Sequence, residues 1–221
     1  MAFFRDRVDA GRRLAQRLSE FRGDPTAIVL ALPRGGVPVA YEVASALRLP
    51  LDVYIVRKLG VPGHEELAMG AVASDGIYIL DERVVAVAGV TPQQFERTLV
   101  RELAELKRRE RAYRDDRGEP ELRGKTAILV DDGLATGASM QSAVAALRRR
   151  GVRRIVVAVP VAPKGSVAAL AGGADRVVCL YEPEPFYSVG LYYRNFEQTS
   201  DEEVRALLQR AREESKQWNV A

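Results

Sequence analysis

The sequence predicts an α/β fold, a mostly parallel sheet flanked by helices. Two observations carry that reading. Residues 27–32, 51–56, 126–130, 154–159 and 176–180 are short runs rich in Val, Ile and Leu with little alternation. Strands covered on both faces look like this, because neither face meets water. Between the runs lie helical stripes: Ala40, Val43, Ala44 and Leu47, then Met140, Ala143, Val144 and Leu147, each at i, i+3, i+4, i+7. That spacing places one apolar face on a helix, and strand, helix, strand at these intervals means right-handed βαβ units.

The elements follow in order. An amphipathic helix opens the chain from about Arg5 to Arg22, with Val8, Ala15, Leu18 and Phe21 near one stripe. The first strand ends in Pro33, Arg34, Gly35 and Gly36 before the Ala40 stripe begins. After the second strand, residues 59–68 combine Gly60, Pro62 and Gly63 with polar His64, Glu65 and Glu66, which reads as a mobile loop. Apolar residues return at 69–73 and 77–80 around Ser74-Asp75-Gly76, and Asp-Gly is a hairpin-turn signal. Thr91 to Gln94 is a capping box with Pro92 at the first helical position, opening a long charged helix to about Arg114. Its pairs Arg101–Glu105, Glu105–Arg109 and Glu110–Arg114 fall at i, i+4, as on a solvated helix. The Met140 stripe stops at Arg148-Arg149-Arg150-Gly151, cations in the last turn and then a glycine. Ser200 to Glu203 is a second capping box, leading into Val204, Leu207, Leu208 and Ala211.

Composition bounds the function. The 221 residues suit a single domain over 1–221, with its core at about 27–180. Hydrophobic residues at 47% and charged residues at 29% are globular values. A net charge of +3, from 33 basic and 30 acidic residues that interleave, makes nucleic acid an unlikely partner. Cys179 has no second cysteine to pair with, and His64 is the one histidine, so a Cys/His metal cluster is out. No run approaches a membrane span and residues 1–7 show no secretory apolar region. The expectation is a cytoplasmic protein with no membrane contact.

The strongest chemical signal is the stretch 127–139. An apolar strand ends in Asp131 and Asp132, followed by Gly133, Leu134, Ala135, Thr136, Gly137, Ala138 and Ser139 and then the helical stripe. Ligands of open α/β sheets bind just outside the carboxyl ends of strands. Backbone N–H groups at a helix N-terminus, with the Thr136 and Ser139 hydroxyls, make an anion cradle, and small residues let a phosphate approach. Two carboxylates would repel that phosphate, so they accept hydroxyls or help hold a cation. Phosphate cradle plus paired acceptors describes a ribose 5-phosphate. Neither Gly-x4-Gly-Lys-Ser/Thr nor Gly-x-Gly-x-x-Gly is present.

Residues 127–139 resemble the signature of the type I phosphoribosyltransferases, over a match of about 27–180. The resemblance implies that Asp131 and Asp132 serve the reaction at the ribose hydroxyls of phosphoribosyl pyrophosphate, directly or through a substrate-borne Mg²⁺, the expected cofactor. It implies that Ala135, Thr136, Gly137, Ala138 and Ser139 hold the 5-phosphate. Arg34, Gly35 and Gly36 would form the pyrophosphate loop, which in this family often contains a non-proline cis peptide. Arg57 and Lys58 match the edge of the family's flexible β-hairpin loop and would also touch pyrophosphate. A small hood comes from the chain ends, here 1–26 and 181–221. The implied reaction is transfer of the 5-phosphoribosyl group to a small nitrogen acceptor, a nucleobase by expectation, as a homodimer. The alternative is a sensor of the same ligand with little or no catalysis, and turnover discriminates between them.

The acceptor is not written in the signature. Ala135 stands where 6-oxopurine enzymes of the family carry a catalytic carboxylate. Glu65 is a candidate acid or base on the loop. Phe186 and Tyr187 are candidates for an acceptor pocket, within the aromatic-rich stretch 181–196, where packing against the terminal helices is the competing explanation.

Overall fold

The computed structural model describes residues 3–74, 76–114 and 118–218. Five parallel strands form the main sheet in the order β2-β1-β6-β7-β8: β1 (Ala27–Ala31), β2 (Leu51–Val53), β6 (Thr126–Val130), β7 (Arg154–Val161) and β8 (Arg176–Tyr181). Three antiparallel strands, β3 (Val56–Val61), β4 (His64–Ala73) and β5 (Tyr78–Leu80), form a second, smaller sheet. Helices are α1 (Arg7–Gln16), α2 (Gly36–Leu47), α3 (Glu82–Val87), α4 (Pro92–Arg114), α5 (Ala138–Arg149), α6 (Ser166–Leu170) and α7 (Asp201–Trp218).

The near-continuous apolar runs are explained by two cores, one on each face of the main sheet. Val29, Ala31, Ile128 and Val130 point into one, with Leu14 of α1, Val43 of α2 and Leu208 of α7. Their strand neighbours Ile28, Leu30, Ala127 and Leu129 point into the other, with Met140, Val144 and Leu147 of α5. The two-residue period of a strand therefore alternates between cores rather than between core and water.

Several expectations change. The opening helix ends at Gln16, and residues 19–21 form a separate 3₁₀ turn; Leu18 and Phe21 are still buried. The run 51–56 is divided: Leu51–Val53 belongs to the main sheet, and Val56 begins the smaller one. Residues 59–68 are not a loop. β3 and β4 pair directly, with Val56 opposite Ala73 and Val61 opposite His64, and the register shifts around Gly60. A Cβ at Gly60 would sit 2.6 Å from the Glu65 carbonyl oxygen, so this crossing requires glycine. The second turn joins β4 to β5 as expected, although Asp75 lies outside the described residues.

The long helix begins as read. The Thr91 N–H donates to Gln94 Oε1 at 2.9 Å, and the Gln94 N–H donates to Thr91 Oγ1 at 3.3 Å. It is not uniformly solvated, because Glu102 and Arg114 are buried. Arg114 Nε reaches Asp52 at 3.0 Å and its Nη2 donates to the Val53 carbonyl at 2.6 Å, tying α4 to β2. Of the three i, i+4 pairs, Glu105–Arg109 and Glu110–Arg114 form, whereas Arg101 turns to Glu102.

Candidate active site

Strand order places the site. The chain leaves β1 toward β2 on one side and leaves β6 toward β7 on the other. β1 and β6 are neighbours, so the crevice at their carboxyl ends is the switch point where open α/β sheets bind ligands. Two loops meet there, residues 32–35 after β1 and 131–137 after β6. The Leu32 N–H donates to the Val130 carbonyl at 2.9 Å.

These loops touch so closely that side chains are excluded. A Cβ on Gly35 would lie 2.1 Å from Asp132 Oδ2, and one on Gly36 would lie 2.9 Å from the Asp131 Cα. The Pro33–Arg34 peptide is cis, the non-proline cis bond expected in this loop. Arg34 is about one-third exposed, with Nη1 3.8 Å from Asp201 Oδ1 at the start of α7, a distance that leaves its charge available.

Asp131 and Asp132 follow β6 directly. Asp131 Oδ1 accepts the Asp132 N–H at 2.8 Å. Asp132 Oδ2 accepts from Arg7, with Nε at 2.9 Å and Nη2 at 2.8 Å. Asp131 Oδ2 and Asp132 Oδ1 have no partner among the described residues, so each acid offers one oxygen to a ligand. Burial pushes the Asp131 carboxyl well above the usual carboxylate range, and the Asp132 charge adds to the shift. Burial also raises Asp132, opposed by the Arg7 charge.

The loop 133–137 then turns into α5. Gly137 caps the helix in the left-handed conformation at φ +75°, and a Cβ there would meet nothing within 4 Å. A cavity of about 210 Å³ lies at this point, bounded by Asp131, Ala135, Thr136, Gly137 and Ser139 and on its far side by Val189. Thr136 Oγ1 accepts the Ala138 N–H at 3.4 Å, closing the turn. Volume, helix N-terminus and hydroxyls together suit an anion.

The remaining expected residues are placed differently. Arg57 is bound by Glu102 of α4, with Nε at 2.9 Å and Nη2 at 2.5 Å; in this state its charge latches the hairpin to a helix. Lys58 lies half-exposed with Nζ 3.0 Å from the Glu66 carbonyl. Glu65 is exposed beside the β3–β4 turn, and hydrogen bonds from its own N–H and that of Gly63 lower its carboxyl pKa. Phe186 packs on Tyr192 at 5.3 Å, in a row that continues through Phe3 to Tyr181, so packing accounts for this ring. Tyr187 is 78% exposed.

Sequence reading misses Arg7 and Tyr193. The Tyr193 hydroxyl donates to the Asp132 carbonyl at 2.6 Å. Arg7 lies 125 residues from its aspartate, and no local spacing announces such a pair. The two ends of the chain meet over this crevice, where Phe4 and Tyr193 bridge and both are buried.

Comparison with known proteins points to one family. The profile of the family described as phosphoribosyl transferase domain matches residues 5–189. Proteins from two strains of Mycobacterium tuberculosis, both provisionally named phosphoribosyl transferases, are 49% identical over 211 residues, covering 96% of this chain. That is 47% of their own length, so the chain spans about half of these curated relatives. The crystal structure of TT1426 from Thermus thermophilus is 43% identical, with a TM-score of 0.83 over 95% of this chain and 99% of that one.

Proposed function

The chain belongs to the phosphoribosyl transferase domain family, and from that premise we propose that it transfers the 5-phosphoribosyl group of phosphoribosyl pyrophosphate to a small nitrogen acceptor, with release of pyrophosphate. The observation that carries the reading is the contact between the two loops at the switch point. It sets a glycine turn bearing Arg34 against an aspartate pair, beside the cavity at the start of α5.

Each group then has a task. Amides of residues 135–139, with the Thr136 and Ser139 hydroxyls, hold the 5-phosphate. The open oxygens of Asp131 and Asp132 accept the ribose hydroxyls, and Arg34 with Lys58 draws the pyrophosphate. The acceptor nitrogen donates its lone pair to C1, the C1–O bond breaks, and that electron pair leaves on pyrophosphate. Between these events C1 and the ring oxygen share positive charge, which fixed carboxylates near the sugar stabilise without reorganising. The proton lost by the nitrogen passes to solvent or to a base, for which Glu65 is the candidate. Tyr187, exposed on the hood, is the ring offered to a flat acceptor such as a nucleobase.

Mg²⁺ fits this chemistry as an ion carried by substrate. It takes one or two carboxylates and completes its shell with water and phosphate oxygens, so the open oxygens of Asp131 and Asp132 would meet the ribose hydroxyls either directly or through such an ion. Among the described residues no group of three or more acids, histidines or cysteines gathers into a cage of its own. When bound, the ion supplies charge to the leaving pyrophosphate.

The test is pyrophosphate release from phosphoribosyl pyrophosphate and Mg²⁺ across a panel of nucleobases and simple amines. Release with at least one acceptor, lost on Asp131→Asn, is expected. Tight binding with no release from any acceptor would replace the transferase with a sensor.

A further inference from the structure

Arg7 enters none of the steps above, yet it makes the most enclosed ion pair of the site: its side chain is 12% exposed and that of Asp132 is 14% exposed. We propose that Arg7 is a positioning residue for the ribose-binding aspartate. It fixes Asp132 Oδ2 so that Oδ1 remains to accept the sugar hydroxyl, and it offsets one of two adjacent negative charges in a site that must admit a polyanion. The inference rests on the reading of the aspartate pair as the ribose contact.

The geometry is that of a built mount. Arg7 Nε and Nη2 both reach Asp132 Oδ2, while Nη1 donates to the Glu197 carbonyl at 2.7 Å. The guanidinium lies 3.9 Å over the Phe196 ring, and Phe196 packs on Tyr193 at 5.0 Å. Tyr193 in turn holds the Asp132 carbonyl. One aspartate is thus held through its side chain from the start of the chain and through its backbone from the hood. An arginine makes such a mount because its flat fork can bond two acceptors and stack at once. A surface ion pair free to rotate would gain little from this arrangement.

Charge gives the reason. Asp131 makes no ion pair among the described residues and feels the Arg7 charge only from beyond contact, so without Arg7 the pair would lose the cation that offsets its negative charge before a ligand already carrying phosphates. Repulsion of that kind acts most on a ligand whose ribose sits at Asp132, and less on one held by the pyrophosphate loop alone, although Gly35 packs against Asp132 Oδ2.

The experiment measures binding of phosphoribosyl pyrophosphate, ribose 5-phosphate and inorganic pyrophosphate, all with Mg²⁺, to wild type, Arg7→Gln and Arg7→Lys. Arg7→Gln should weaken both ribose ligands by about tenfold and pyrophosphate by clearly less. Arg7→Lys keeps the charge but not the fork, so it should recover only part of the loss and fall between wild type and Arg7→Gln. Wild-type affinity in Arg7→Gln would overturn the proposal. So would equal losses in both variants that extend to pyrophosphate, because they would mean general loosening. Should Arg7→Gln fail to melt cooperatively, Phe196→Leu replaces it by removing the ring beneath the guanidinium. That variant should lose about threefold for ribose ligands and less for pyrophosphate, and unchanged affinity for ribose ligands would overturn the idea. A wild type that binds pyrophosphate but neither ribose ligand would instead refute the ribose reading itself.

Discussion

At Asp131 the fold encloses a carboxyl and gives it an N–H but no ion pair among the described residues, Arg7 acting on it only from beyond contact. Its raised pKa means that the folded protein holds this proton more tightly than the unfolded chain does. Its contribution to stability is therefore greatest below the unfolded value near 3.8 and falls as pH rises through the raised one. Asp131→Asn should remove that loss: its melting temperature at pH 7.5 should match or exceed wild type, with the gap closing as pH is lowered, while binding of phosphoribosyl pyrophosphate is lost. Asp132→Asn should behave oppositely: burial raises this carboxyl too, but the amide leaves Arg7 enclosed without a charge partner, a loss that outweighs the relief of that burial. A cost of about 1–3 kcal/mol is expected after allowance for partial exposure, or about 2–4 °C in melting per kcal/mol. Glycines divide in the same way. Gly35→Ala drives a methyl into the Asp132 carboxylate and should damage both stability and binding, whereas Gly137→Ala meets open space and should cost about 1 kcal/mol for its positive φ. Thermal melts of the pair distinguish the two kinds of glycine. Asp131, Asp132 and the cradle are legible in the sequence because strand, acids and small residues are contiguous. Arg7 is not, since its partner is distant in sequence and its own surroundings, an N-terminal turn rich in Arg and Asp, look like ordinary surface.

Among the elements, the smaller sheet departs most from the sequence reading. A stretch with Gly60, Pro62, Gly63 and several exposed polar or charged neighbours looks like a loop, and only cross-strand pairing with 64–73 makes it a hairpin. α3 and α6, six and five residues long, are too short to show a helical period. By contrast the starts of α4 and α7 are legible, because capping boxes are local chemistry. The Ser200 hydroxyl accepts the Glu203 N–H at 3.1 Å, as the box predicts. α4 then fastens the hairpin through the buried Glu102 and Arg57. Glu102→Ala should leave Arg57 unpaired, lower stability by about 1–2 kcal/mol, and speed amide exchange in β3 and β4 before the main sheet is affected. Exchange that accelerates uniformly across the protein would refute a local latch.

Over the whole molecule, function is assembled from segments far apart in the chain. Paired apolar runs and stripes are enough to read the α/β architecture, since a doubly covered parallel sheet leaves a distinctive pattern of residues. The meeting of the chain ends is legible only as a concentration of aromatic residues. Its structural reason is the stack linking Phe3, Tyr181, Tyr192 and Phe186, with Phe4 buried beside Tyr193. Phe4→Ala should cost about 3–5 kcal/mol and weaken ligand binding together with stability, because the same ends carry Arg7 and Tyr193 to Asp132. The central claim is that this assembled crevice binds phosphoribosyl pyrophosphate. Isothermal titration with and without Mg²⁺, using ribose 5-phosphate as the control, tests it most directly. Mg²⁺-dependent binding tighter than the control is the predicted result; no binding, or binding no tighter than ribose 5-phosphate and indifferent to Mg²⁺, would contradict it.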